Sequence, residues 1–155
     1  MIKHIKCDIF ESGADVICHQ VNCQGVMGSG IAKQVREKYL EVFASYKKVC
    51  DEYRTEFGSH ALLGGVQGSP VKGVWIVNLF AQNNFGYDGK CYTDYDALRR
   101  CLEKVKAEFS NRIIAIPYLM GCHRGGGDWN IVYKMIEEIF GDSDCEVLIC
   151  EYNGG

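Results

Sequence analysis

Asn22-Cys23-Gln24-Gly25-Val26-Met27-Gly28-Ser29-Gly30-Ile31-Ala32 decides how this chain is read. An apolar β-type run, Asp15–Gln20, leads into it, and a long amphipathic pattern from Ile31 to Tyr53 leads out. Three glycines within six residues permit positive φ angles and let a ligand approach the main chain closely. The first N–H groups of the helix that follows can then converge on an anion. Two better-known phosphate loops are excluded. Gly25 and Gly30 have Walker A separation, but Ile31 stands where that loop needs lysine. Lys33 stands where a dinucleotide fingerprint beginning Gly28-x-Gly30 needs its third glycine. A tight structural turn would explain the segment equally well when it is taken alone.

A second segment changes the balance. Gly121-Cys122-His123-Arg124-Gly125-Gly126-Gly127-Asp128-Trp129 also leaves a buried strand and enters a helix, and four of the seven residues from Gly121 to Gly127 are glycine. Two such loops at the carboxyl ends of strands are the expected walls of one phosphate cleft.

Outward from these loops, β-type runs alternate with helical ones. Strands are expected over Ile2–Lys6, Asp15–Gln20, Ala61–Val66, Val74–Phe80, Arg112–Pro117 and Cys145–Glu151. The continuously apolar Val74–Val77 and Ile113–Ile116 suit central strands covered on both faces. In the first helix, Val35, Tyr39, Val42, Tyr46, Val49 and Tyr53 recur every three or four residues. The second carries Tyr95, Leu98, Leu102, Val105 and Phe109, with Thr93 or Asp94 as N-cap. The third starts after Asp128, turns Trp129, Val132, Met135, Ile136 and Phe140 inward, and stops at Gly141. The implied fold class is α/β: a three-layer α/β/α sandwich around a mixed, largely parallel sheet. No repeat or linker divides the chain, so one domain over residues 1–155 is expected, with Gly154-Gly155 as a loose end.

Composition narrows the classes. At 155 residues and 47% hydrophobic content the chain can bury a full core. A net charge of −3 argues against a protein that grips nucleic acid by neutralising its phosphates. The nine cysteines form no Cys-x-x-Cys pair, so no metal site is expected, and reduced thiols serving as small hydrophobes suit a cytoplasmic protein. The start, Met1-Ile2-Lys3-His4, reads as strand rather than leader, and no apolar run reaches the ~20 residues of a membrane span.

Both glycine loops resemble those of the macrodomain family, whose members bind ADP-ribose. The resemblance runs from Cys7-Asp8-Ile9-Phe10 to the last strand and is most specific over His19–Ala32. It looks most like the branch holding the yeast-type ADP-ribose-1″-phosphate phosphatase and the terminal ADP-ribose protein glycohydrolase. The resemblance implies that Asp8 meets the adenine amine, with Ile9 lining the same end and Tyr152 packing nearby. Asn22 would contact the distal ribose. Gly28, Ser29, Gly30 and Ile31 would hold one side of the diphosphate, and Gly121, Cys122, His123, Arg124, Gly125, Gly126 and Gly127 the other. The chain departs from the glycohydrolase branch at two places. Gln82 or Asn83 stands where that branch has lysine, Lys90 comes too late to replace it, and Gly125 stands where it has an aspartate. His123 replaces a usual glycine.

The implied ligand is ADP-ribose or ADP-ribose-1″-phosphate, with ADP-ribosylated protein as a further partner and no cofactor or metal. Hydrolysis at C1″ needs a positioned water, proton transfer and stabilised phosphoryl oxygens. His19, at the end of the strand feeding the first loop, is the acid/base candidate, although a buried histidine also serves cores. Asp128 can hold a water or orient His19, or act only as an N-cap, and Asn22 can place the ribose without adding charge. The polar, aromatic stretch Ala81–Tyr92, with Asp88 and Lys90, reads as a cover over the cleft or as a surface loop. Three activities share these features: a 1″-phosphatase, a hydrolase freeing ADP-ribose from modified protein or nucleic acid, and a non-catalytic reader.

Overall fold

The computed structural model describes residues 1–152, so the Gly154-Gly155 end lies outside the described residues. The strands are β1 (Ile2–Lys6), β2 (Val16–Asn22), β3 (Val66–Val71), β4 (Val74–Gln82), β5 (Ile113–Pro117) and β6 (Glu146–Glu151). The helices are α1 (Gly30–Lys38), α2 (Leu40–Glu56), α3 (Tyr95–Glu108) and α4 (Trp129–Phe140). One six-stranded sheet has the order β1-β6-β5-β2-β4-β3, parallel throughout except for the β3–β4 pair. Alternation along the strands sends Val16, Cys18, Val77 and Leu79 towards α3 and α4. It sends Ile17, Val21, Ile76 and Phe80 towards α1 and α2. The result is the expected three-layer sandwich. Because β1, β6, β5, β2 and β4 run the same way, their carboxyl ends share one edge, and both glycine loops lie along it.

Two elements differ from expectation. The helix expected over Ile31–Tyr53 is two helices, broken at Tyr39, where φ −135° and ψ 79° leave the helical region. Tyr39 donates its N–H to Val35 O, closing α1, and its carbonyl accepts the N–H groups of Val42 and Phe43, opening α2. Its ring lies against Phe10, 6.2 Å between centroids. A one-residue break keeps Val35, Val42 and Tyr46 in phase, so periodicity does not reveal it. The strand expected over Ala61–Val66 is instead a 3-10 turn, Ser59–Leu62, followed by Gly64 at φ +84°. The strand begins only at Val66 and pairs antiparallel with β4 through a two-residue turn, Lys72-Gly73, both at positive φ. Gly68 and Pro70 argue against a strand in sequence, but β3 is the sheet edge, where proline is tolerated. Asp94, not Thr93, caps α3, accepting Ala97 N–H at 3.0 Å.

Candidate active site

The first glycine loop is folded by side chains beneath it. A register shift between Val21 and Asn22 sets Asn22 opposite Gln82 at the end of the β2–β4 ladder, where the chain turns. The Asn22 oxygen accepts Gln24 N–H at 2.9 Å, and its amide donates to Val26 O at 2.8 Å. The buried Tyr46 hydroxyl donates to Asn22 O at 2.7 Å and sits 2.9 Å from the side-chain oxygen. Asn22 therefore spends most of its hydrogen-bonding capacity on the loop itself, leaving one amide hydrogen for anything in the cleft. Gln24 ties the loop to the exit of β4 through Asn83 O at 2.9 Å. Ser29 is the N-cap of α1 but makes no side-chain cap hydrogen bond, so the first-turn N–H groups face outward. Gly28 has no positive φ, and a Cβ there would touch only Val26 Cγ1, at 3.6 Å. Nothing in the protein demands glycine at that position.

The second loop is different. Tyr92 N–H and Thr93 N–H both donate to Gly125 O, at 2.7 and 3.0 Å, and Thr93 Oγ1 donates to Gly121 O at 2.7 Å. A Cβ on Gly125 would come within 2.5 Å of Thr93 Oγ1, and one on Gly126 would collide with Lys90 O. Gly121 and Gly126 also hold φ of +75° and +69°. Close packing against residues 90–93 thus accounts for several glycines that the sequence suggests reserving for a ligand. His123 and Arg124 are exposed on the rim, and the Arg124 guanidinium lies 4.5 Å from the Tyr87 ring centroid.

Between the loops lies a cleft of about 430 Å³. Of the residues singled out in sequence, it is lined by His19, Asn22, Gly28, Ser29, Gly30, Ile31, Gly121, His123, Arg124 and Gly125. Cys122, Gly126 and Gly127 belong to the second loop but do not line it. Asp8, Ile9 and Tyr152 follow β1 and β6 along the same edge, outside the lining. Asp8 caps a 3-10 turn, accepting Phe10 N–H at 3.0 Å, Ile9 is buried, and Tyr152 is 59% exposed.

Of the roles open to Asp128, holding a water, orienting His19 or capping α4, the N-cap is the one that the structure shows. Asp128 is exposed at the start of α4, accepts Asn130 N–H at 2.9 Å, and is absent from the cleft lining. The partner of His19 is Asn78, whose Oδ1 lies 2.6 Å from Nε2. Phe85, Gly86 and Tyr87 line the cleft, while Asp88 and Lys90 pair with each other outside it at 3.7 Å.

His19 is 1% exposed, and burial lowers its pKa to about 4 against an opposing pull from the Asn78 hydrogen bond. Neutral when folded and titrating near 6.5 when unfolded, it contributes stability that is complete above pH 6.5 and lost as pH falls towards 4. Denaturant titrations should show roughly 2 kcal/mol of that loss between pH 7 and 5. His19→Gln should lack this component; an identical pH dependence in both proteins would disprove the assignment. Burial also pushes the Cys23 thiol up to about 12 and Cys122 up to about 11, which disarms both as nucleophiles. Among the described residues the lining contains no aspartate, glutamate or lysine. Two buried polar atoms, His19 Nδ1 and Gln20 Oε1, find no protein partner among the described residues. Gln20, Gln82 and Asn78 are the residues sequence reasoning missed. Asn78 inside the apolar run Val74–Phe80 was the available signal, since a buried amide there demands a polar partner.

No protein-family profile matches the chain. It is 29% identical over 157 residues to a DNA ADP-ribosyl glycohydrolase of Mycobacterium tuberculosis, covering 100% of this chain and 43% of that protein. The chain thus spans less than half the length of that relative. It is 27% identical over 195 residues to an ADP-ribose 1″-phosphate phosphatase of Neosartorya fischeri, covering 99% and 96%. Among solved structures, the macrodomain of Mycobacterium tuberculosis DarG superposes with TM-score 0.79 at 26% identity, covering 97% of each chain. A macrodomain protein of Streptomyces coelicolor superposes with TM-score 0.74 at 25% identity over 100% of both. Sheet, helical layers and loops all fall within that overlap, and the chain has the macrodomain fold.

Proposed function

We propose that this chain, as a single macrodomain over residues 1–155, binds ADP-ribose across the cleft and hydrolyses ADP-ribose-1″-phosphate to ADP-ribose and phosphate. The observation that carries the chemistry is that His19 lines the cleft while its buried Nδ1 has no protein partner among the described residues. If Asp8 takes the adenine, the ligand runs from the β1 end of the sheet towards β2 and β4. The diphosphate then crosses the open N-terminus of α1 beside Gly28, where N–H groups and the helix dipole favour an anion. The distal ribose lies at the β2–β4 end, near His19, Asn22 and Tyr87.

Water attacks phosphorus, the bond from phosphorus to O1″ breaks, and the sugar oxygen leaves. Phosphoryl transfer of this kind has a loose transition state, so positioning and charge stabilisation matter more than a strong base. A weakly basic His19 suits that demand: it aligns the water and accepts its proton as attack completes, while O1″, leaving on the opposite side of phosphorus, takes its proton from solvent. Arg124 and His123 are the rim groups able to meet the phosphoryl oxygens. A second reading is release of ADP-ribose from a modified nucleobase or protein, and one feature favours it. Phe85 and Tyr87 are exposed at the cleft mouth, where they offer faces for a flat substituent.

Calorimetry with ADP-ribose should give one site. Phosphate release from ADP-ribose-1″-phosphate should exceed ADP-ribose release from modified DNA or protein. Binding without turnover of any of these substrates would leave a reader and reject the enzyme.

A further inference from the structure

Behind His19 runs a row of amides on the sheet face packed by α1 and α2. Gln67 of β3, Asn78 of β4 and His19 of β2 stand opposite one another in register. Gln67 Nε2 lies 3.3 Å from Ser45 O in α2, Asn78 Nδ2 lies 3.1 Å from Gln67 Oε1, and Asn78 Oδ1 lies 2.6 Å from His19 Nε2. The row has a direction. The Ser45 carbonyl can only accept, so Gln67 turns its amide nitrogen towards Ser45 and its oxygen towards Asn78. Asn78 must then donate to that oxygen, which turns its own oxygen towards His19. An amide oxygen cannot donate, so the hydrogen lies on His19 Nε2. Reversing every amide would set Gln67 Oε1 against the Ser45 carbonyl, oxygen facing oxygen, and is disfavoured. A neutral imidazole protonated on Nε2 carries its lone pair on Nδ1.

We propose that Asn78 and Gln67 are positioning residues that lock His19, a residue of the cleft lining, in the Nε2–H tautomer, so that its unpartnered Nδ1 is left as a pure hydrogen-bond acceptor for a group that enters beside it. The group seated over His19 is then a donor, a sugar hydroxyl or a water, and not a phosphate oxygen. A bare anionic oxygen would face a lone pair with no hydrogen between them. Phosphate is thereby directed away from His19, to the α1 N-terminus and the Arg124 rim. This rests on the cleft being the ligand site; the tautomer itself does not depend on hydrolysis.

The test is nitrogen NMR of the imidazole in full-length protein labelled at histidine, assigned with His19→Gln. At pH 7 the wild type should show a protonated Nε2 and a bare Nδ1. A protonated Nδ1, or a charged ring, overturns the proposal. Saturation with ADP-ribose should shift Nδ1 in the direction of an accepted hydrogen bond; an unmoved Nδ1 in protein that calorimetry shows to be saturated removes the subsite. Absence of ADP-ribose binding would instead defeat the functional reading and leave the tautomer result standing. Gln67→Leu, which leaves Asn78 free to reverse its amide, should mix the two tautomers. If the enzyme turns over ADP-ribose-1″-phosphate, Gln67→Leu should lower kcat about tenfold with KM within about twofold, a split that general loosening of the fold would not give. Gln67→Leu with an unchanged tautomer and unchanged kcat rejects the role of the row.

Discussion

His19→Ala lowers kcat for release of phosphate from ADP-ribose-1″-phosphate by about 100- to 1,000-fold, the range expected when a positioned proton-transfer group is removed. The affinity for ADP-ribose itself changes by less than about tenfold, because the diphosphate is held by main-chain N–H groups that the substitution does not touch. Single-turnover kinetics and calorimetry on the same preparation separate the two effects. Some loss of stability accompanies the change, since Asn78 Oδ1 would be left buried without its 2.6 Å partner. Thermal denaturation measured alongside shows whether the protein is folded at assay temperature. Folded His19→Ala that retains wild-type kcat would remove His19 from the chemistry and return its burial to the role of a satisfied core histidine.

The low pKa of His19 also constrains the pH profile. With its titration near 4, His19 is in one neutral form from about pH 5.5 upward. A rate fall between pH 6 and 7, of the kind an ordinary histidine would cause, must therefore be assigned elsewhere.

Much of this arrangement is legible in sequence because it rests on local rules. Apolar runs gave β2, β4 and β5, the Asp128 N-cap gave the start of α4, and the two glycine segments gave both walls of the cleft. What stayed hidden depends on contacts between distant segments. The break at Tyr39 sits where its ring meets Phe10, far earlier in the chain, and strand β3 reads poorly until its place on the sheet edge is known. The Gln67–Asn78–His19 row is set by the register of three strands, two of them joined in a hairpin and the third far earlier in the chain. The sequence signals were present but ambiguous. A histidine on a buried strand has two readings, and its burial, with an amide rather than a carboxylate as partner, keeps it neutral.

The two loops predict opposite behaviour from the same kind of residue. Gly126 holds φ +69° with Lys90 O and Cys91 Cα against the position of a Cβ, so Gly126→Ala strains the backbone and forces residues 90–93 apart. It should lower Tm measurably, whether or not a ligand exists. Gly28 has neither constraint: φ is not positive, and a Cβ would make only an ordinary 3.6 Å contact with Val26. Gly28→Glu should therefore fold with a Tm within about 2 °C of wild type. Its carboxylate would stand in the cleft beside the first turn of α1, where the diphosphate is placed. A like charge at about 4 Å costs roughly 4 kcal/mol at the effective dielectric of a protein surface. Solvent screening leaves at least a 100-fold loss of ADP-ribose affinity, or about 2.7 kcal/mol. Gly28→Ala, which adds bulk without charge, should weaken binding far less. Wild-type affinity in a folded Gly28→Glu protein would mean that no anion crosses the start of α1, and that the openness around Gly28 serves only the turn.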